Sequence, residues 1–153
     1  MFTSENPHAV LKSLSGAETE FVHAYQWLKS SEEFIVRKKD KAYVNRHLRK
    51  MLLGWGGIES VLASAETDLG EEMEQFADSH GKGNSAAYSR MVKQAIPHYE
   101  AALNHYGMFD RVLFFATDRH IRLNPLSNKD SHERIGARRA YLDDKLSVLT
   151  SLS

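Results

Sequence analysis

The chain has 153 residues, no cysteine, and twenty basic residues against twenty acidic ones. This length fits one domain, and the lack of thiols excludes disulfides, thiolate metal sites and cysteine nucleophiles. Apolar runs are far shorter than the roughly 20 residues that cross a bilayer, and the N-terminal sequence does not resemble a signal peptide. We therefore expect a single domain over residues 1–153, located in the cytoplasm and not associated with a membrane.

The first predicted helix begins at Asn6 and Pro7, because an N-cap residue followed by proline is typical of a first helical turn. Apolar residues then recur at helical spacing as far as Leu28. A break is expected at Ser30 and Ser31, where the apolar stripe ends.

The middle of the chain predicts two further helices. An apolar stripe that includes Trp55 runs from about residue 41 to 67 and predicts a long helix. Asp68 and Glu71 have the spacing of a capping box, which predicts a separate acidic helix that ends near residue 80. Residues 81–84, with two glycines, predict a loop.

The next segment predicts a kinked helix and a buried one. Residues 85–106 form a helical pattern in which Pro97 is expected to introduce a kink. Gly107 is expected to end this helix. Residues 108–122 are apolar nearly all round, which predicts the most buried helix of the fold.

The last predicted helix follows a loop at Asn124 and Pro125. Asp130 and Glu133 form a second capping-box pattern ahead of apolar residues at helical spacing. Because the sequence has few prolines, no alternating strand pattern and no internal repeat, we predict an all-α fold. The expected architecture is a single-domain bundle of five or six helices.

Charge is segregated along the chain. Residues 37–50 contain seven Lys or Arg against one acid, whereas residues 51–80 contain seven acids and no Lys or Arg. Such segregation predicts surfaces of opposite sign, which steer and select partners.

Basic residues fall into two stripes, one on the helix over 41–67 and one on the last helix. The first stripe comprises Lys39, Arg46, Arg49 and Lys50, and the second comprises Arg134, Arg138 and Lys145. They can be solvated helix faces, a surface for nucleic-acid phosphates, or a surface for an acidic protein. A pI near 7.1 disfavours nucleic acid, since such domains are usually basic overall.

Two further features suggest contact surfaces. The glycines of segment 54–57 cost roughly 3 kcal/mol within a helix, so they predict a helix break or internal helix packing, or else a smooth face at Gly57, Ser60 and Ser64 that a partner approaches. Trp27 lies opposite the apolar stripe of its helix and predicts that this helix is covered on both sides. Burial inside the protein is the favoured explanation.

No metal site or cofactor is predicted. Glu20 and His23 have the spacing of ligands in di-iron helical bundles, but the second copy that such sites require is missing and His23 points away from the main core. His98 and His105 share one helix face, and one or both are expected to hydrogen-bond at the edge of the core. A metal-dependent enzyme built from distant residues would first use His98, His105, Asp110 and His120.

The sequence therefore favours a non-enzymatic helical binding protein, an accessory or regulatory subunit. It would dock through its basic helix face on an acidic protein surface or on nucleic-acid phosphates. The acidic segment 66–78 could complement a basic neighbour, including a second copy of the chain. The alternatives are a protein–protein regulator or self-associating adaptor that uses Gly57 and Trp27 without nucleic acid, and a helical metal-dependent enzyme.

Overall fold

The computed structural model describes residues 6–35, 37–123 and 127–152. Over these residues it contains helices and no strand, so the all-α class is confirmed. The helices are α1 (Pro7–Glu32), α2 (Lys38–His80), α3 (Ser85–Val92), α4 (Ile96–Asp118) and α5 (Asn128–Thr150). A 3-10 turn, Lys93–Ala95, joins α3 to α4.

The bundle is built around α2, which packs against both α1 and α4. Phe21 of α1 lies against Gly54, and His98 of α4 hydrogen-bonds Glu66. α5 runs antiparallel to α4, since Asn128 at its start bonds Thr117 near the end of α4. Apart from the short α3, four long helices thus form the bundle, fewer than the five or six predicted.

The predicted start of α1 is confirmed. The Asn6 side chain accepts a hydrogen bond from the backbone N–H of His8 at 3.0 Å, and Pro7 occupies the first turn. α1 ends at Glu32, close to the break expected at Ser30 and Ser31.

The prediction of a helix end near residue 67 is wrong, because α2 continues without interruption to His80. Leu62 and Leu69 are both fully buried and lie on one side of the helix, so packing continues past Asp68. Tertiary contact overrides the local capping pattern of Asp68 and Glu71, which lie inside the helix instead of at its start.

The glycines of segment 54–57 do not break α2 either. Gly54 lies against the ring of Phe21, and a side chain there would overlap that ring. Gly56 is buried against Val112. Gly57 is exposed, with open space where a Cβ would stand. Internal packing therefore accounts for Gly54 and Gly56 but not for Gly57.

The kink predicted at Pro97 takes the form of the 3-10 turn just ahead of it. Proline has no N–H and its ring clashes with the carbonyl four positions earlier, which is that of Lys93. Lys93 accepts instead from the N–H of Ile96.

The break predicted at Gly107 is wrong: α4 passes through it because Tyr106 and Leu113 on either side are buried in the core.

The apolar residues 108–122 predict a helix that is buried on all sides, but α4 is exposed on one side. Phe114 is 70% exposed, and α4 ends at Asp118. α5 begins one turn earlier than the Asp130 capping box, since Ser127 is its N-cap and accepts from the N–H of Asp130. The loop predicted at Asn124 and Pro125 lies outside the described residues.

Two apolar clusters form the core. One joins α1, the first half of α2 and the end of α4 around Trp55, and the other joins the second half of α2 to α3, α4 and α5 around Tyr99. Among the described helices, none is both long and apolar enough to cross a membrane.

Candidate docking face and histidine–carboxylate cluster

One side of α2 faces away from the core over its first half. Six exposed residues fall within about 80° of one another at 100° per residue. They are Lys39, Tyr43, Arg46, Lys50, Leu53 and Gly57, and we call them the outer face of α2. The face is about 27 Å long, since each helical residue adds 1.5 Å.

The cations of this face are not neutralised within the molecule. Among the described residues, Lys39, Arg46 and Lys50 form no ion pair, and neither does the neighbouring Arg49. The ring of Tyr43 lies 4.3 Å from that of His47 one turn later. The outer face therefore offers positive charge beside exposed aromatic and aliphatic surface.

The acidic half of α2 behaves in the opposite way, because most of its acids have partners on other helices. Glu74 bonds Tyr99 and pairs with Lys145 at 3.0 Å. Glu66 pairs with His98, Glu71 accepts from Tyr141, and Asp78 accepts from Tyr88. Much of the negative charge of α2 is thus paired within the molecule, whereas the cations of the outer face are not.

The two predicted basic stripes do not lie side by side. Arg134 and Arg138 are exposed on α5, but α5 runs along the acidic half of α2. Burial raises the pKa of Asp68, and the charge of Arg138 beside it opposes that shift. Asp68 is 18 residues beyond Lys50, or about 27 Å along the helix, so Arg138 lies far from the outer face.

Trp27 is 75% exposed, so its predicted burial against the core is wrong. Tyr25, two positions earlier, is buried and packs on Trp55 and Phe115. α1 therefore presents one side to the core, and no described element covers the side that carries Trp27.

A second polar feature lies between the two apolar clusters. Glu18 of α1, Glu59 of α2 and His105 of α4 place their ligand-type atoms within 4.8 Å of one another. His105 Nδ1 is 2.7 Å from Glu59 Oε1 and 3.1 Å from Glu18 Oε2. Glu59 is wholly buried, and Trp55 Nε1 donates to its Oε2 at 2.9 Å. We call these three residues the histidine–carboxylate cluster.

The protonation of this cluster departs from that of free side chains. Burial, together with the hydrogen bond to Glu59, raises the pKa of Glu18 to about 7. Burial also acts to raise the pKa of Glu59, but hydrogen bonds from His105, Glu18 and Trp55 outweigh it and the pKa is lowered. The pKa of His105 is raised, because its carboxylate partners outweigh the opposing effect of burial. Near pH 7 the carboxyl group of Glu18 is thus about half protonated, while that of Glu59 is ionised.

The other histidines suggested for a metal site lie elsewhere. His98 hydrogen-bonds Glu66 at 2.8 Å and His105 hydrogen-bonds Glu59, which confirms the expectation that one or both histidines bond at the edge of the core. Asp110 contacts His132 instead of His105. His120 is exposed. Glu20 and His23 are both exposed, as expected from the direction in which they point.

The cluster was not predicted, although the sequence carries one signal of it. Glu59 lies within about 40° of Leu52 and Trp55 on the helical wheel of α2. A carboxylate inside an apolar stripe needs a partner. That partner, His105, is 46 positions away, so spacing along the chain does not reveal it.

Comparison with known proteins gives no match at any level. No family model matches the chain, and no curated protein or solved structure is significantly similar to it.

Proposed function

We propose that the protein is a non-enzymatic helical binding protein, an accessory or regulatory subunit that docks the outer face of α2 on an acidic surface of a protein. The observation that carries this proposal is the distribution of charge on α2. Most acids of its second half have partners on other helices, whereas Lys39, Arg46 and Lys50 are exposed without a described partner. A surface of this kind attracts a negatively charged partner.

The composition of the face favours a protein over a nucleic acid. Leu53 and Tyr43 supply apolar surface between the cations, and Gly57 lets another backbone approach closely. A nucleic-acid module of even about 600–1,000 Å² is strongly positive throughout. Here Arg138 of the second basic stripe lies beside Asp68, which is about 27 Å along α2 from Lys50, so the two stripes do not form one phosphate surface.

The same distribution disfavours self-association through charge. A second copy would have to offer its acidic segment 66–78 to the outer face. Glu66, Glu71 and Glu74 in that segment already have partners of their own, so an external acidic partner is the better match.

The proposal is tested by reversing charge on the outer face. Tagged full-length wild type, Arg46→Glu with Lys50→Glu, and a control pair, Lys12→Glu with Lys129→Glu, are used to capture partners from a lysate of the source cells. The control residues are exposed on α1 and α5 and produce the same change in net charge. We expect one protein partner to bind wild type and the control pair but not the outer-face pair, with circular dichroism unchanged in all three.

Equal capture by the outer-face pair, or no specific partner of the wild type, would contradict the proposal. A shift assay with DNA and RNA runs in parallel at about 50 and 200 mM salt, between which phosphate contacts weaken sharply. Tight nucleic-acid binding that is lost in the outer-face pair would replace the acidic protein with a phosphate backbone as the partner.

A further inference from the structure

The histidine–carboxylate cluster is difficult to explain as packing alone. Glu59 is fully buried, and an ionised carboxylate removed from water costs several kcal/mol unless it is well paired. A second carboxyl group, that of Glu18, points at the same place, where two ionised carboxylates would repel each other unless a proton or a cation lies between them. His105 approaches both of them with one ring nitrogen. Three donors from three helices thus converge on one point.

We propose that Glu18, Glu59 and His105 bind a divalent first-row transition ion such as Zn²⁺, with Glu59 as the buried ligand. Nitrogen and oxygen ligands bind Zn²⁺ at about 2.0–2.1 Å, which places neighbouring ligand atoms roughly 3.3 Å apart in a tetrahedral site. The separations of 2.7 and 3.1 Å between His105 Nδ1 and the two carboxylate oxygens are slightly shorter. Small outward movements of these side chains admit the ion.

The charges also match a divalent cation. Two ionised carboxylates and a neutral imidazole around a dication sum to zero, so the loaded site leaves no net charge in the bundle. Oxygen and nitrogen donors without sulfur suit Zn²⁺, Mn²⁺ and Fe²⁺ and do not suit Cu⁺. The ligand set therefore defines a class of ion, not one ion.

The surroundings of the cluster support a formed site. Trp55 holds the Glu59 oxygen that faces away from His105, which fixes the orientation of the carboxylate. The side chains of Glu18 and His105 are 24% and 20% exposed, so an ion can enter between α1 and α4 and meet Glu59 at the bottom. Three protein ligands leave a fourth position for water.

The chain contains its own control for this proposal. His98 and Glu66 form the same kind of pair seven residues along the same two helices, but the described residues place no third ligand beside them. An ion that needs three donors will depend on His105 and not on His98. If the metal instead binds weakly to exposed histidines, replacing His105 and replacing His98 will have the same effect on binding.

The experiment titrates Zn²⁺ and Co²⁺ into full-length protein freed of metal by a chelator, with calorimetry for Zn²⁺ and visible absorption for Co²⁺. We expect one tightly bound ion per chain. Trp55→Phe should weaken binding about 10–100-fold, as loss of an orienting partner does. Glu18→Gln and His105→Gln remove ligands and should weaken it at least as much, whereas His98→Gln should bind like wild type.

Glu18→Gln keeps the test decisive if changes at the buried Glu59 disturb folding, because Glu18 is partly exposed and Gln has the same shape. Circular dichroism checks that each variant is helical. The proposal is overturned if wild type binds no stoichiometric ion. It also fails if Glu18→Gln and His105→Gln bind as wild type does, or if His98→Gln weakens binding as strongly as His105→Gln.

Discussion

At the scale of single residues, four glycines of α2 have different surroundings. Gly54 and Gly70 each face an aromatic ring, of Phe21 and Tyr99 respectively, and leave no room for a Cβ. Gly56 is buried, while Gly57 faces open space. The sequence indicates that these glycines are costly within a helix, but only the tertiary packing shows which of them another helix requires.

This difference predicts opposite effects of the same substitution. Gly57→Ala should raise the free energy of unfolding by about 1 kcal/mol, because alanine is the better helix former and meets no other atoms. Gly70→Ala should lower it by about 1–3 kcal/mol, since the methyl group overlaps the buried ring of Tyr99. Urea denaturation of both variants measures the two effects. Equal effects of the two substitutions would contradict this account of packing.

Glu18 makes the stability of the metal-free protein depend on pH. Its pKa is 4.5 in the unfolded chain and about 7 in the folded one. Between these values the folded protein retains a proton that the unfolded chain has released, so the free energy of unfolding falls as pH rises. The raised pKa of His105 likewise makes the free energy of unfolding fall as pH rises above 6.5. The lowered pKa of Glu59 adds stability above pH 4.5, which is lost in acid.

We therefore expect Glu18→Gln to flatten the decline in stability between pH 5 and 8. Over this range the free energy of unfolding of wild type should fall by no more than about 3 kcal/mol beyond the fall in Glu18→Gln, at about 1.4 kcal/mol per pKa unit. Urea denaturation at several pH values, with a chelator present, measures it. Glu20→Gln is the matched control, because Glu20 is exposed on the same helix. A slope in Glu18→Gln equal to that of wild type would disprove the contribution of Glu18.

At the scale of helices, the sequence predicts helical periodicity well and helix ends less well. The start of α1 was predicted correctly because its signal lies in neighbouring residues: Asn6 caps its own helix. The ends expected near Asp68 and at Gly107 do not occur, because burial of Leu69 and Tyr106 keeps those helices intact. A helix that is held by its neighbours does not stop at a local signal.

An ion pair joins the ends of α1 and α4 and shows how such packing is fixed. Arg119, at the end of α4, donates two hydrogen bonds of 2.8 Å to Glu32 at the end of α1. It also contacts Asn45 of α2 at 3.4 Å. Arg119 is largely buried, so this pair is better shielded from water than a surface salt bridge.

Arg119→Ala should lower the free energy of unfolding by about 1.5–3 kcal/mol, the usual range for hydrogen bonds to charged groups. Arg119→Lys keeps the charge but cannot form the two parallel bonds, so it should fall between alanine and wild type. Urea denaturation tests the order of the three proteins. If Arg119→Ala is as stable as wild type, the pair does not hold the ends of α1 and α4 together.

At the scale of the whole molecule, the zero net charge hides an ordered arrangement. The sequence indicates that residues 37–50 are basic and residues 51–80 acidic. It does not show that most of the acids are paired within the molecule, because their partners on α3, α4 and α5 are distant in the chain. The histidine–carboxylate cluster was missed for the same reason. Its three residues come from three helices and meet only in the folded bundle.

The central claim, that the outer face of α2 is the docking surface, is tested most directly by lysine footprinting. Acetylation of each lysine is measured by mass spectrometry in the free protein and in its complex with the captured partner. Our account predicts that Lys39 and Lys50 become protected in the complex, while Lys12 on α1 and Lys129 on α5 react as before. Protection of Lys12 or Lys129 with Lys39 and Lys50 still reactive would contradict it and place the partner on another side of the bundle.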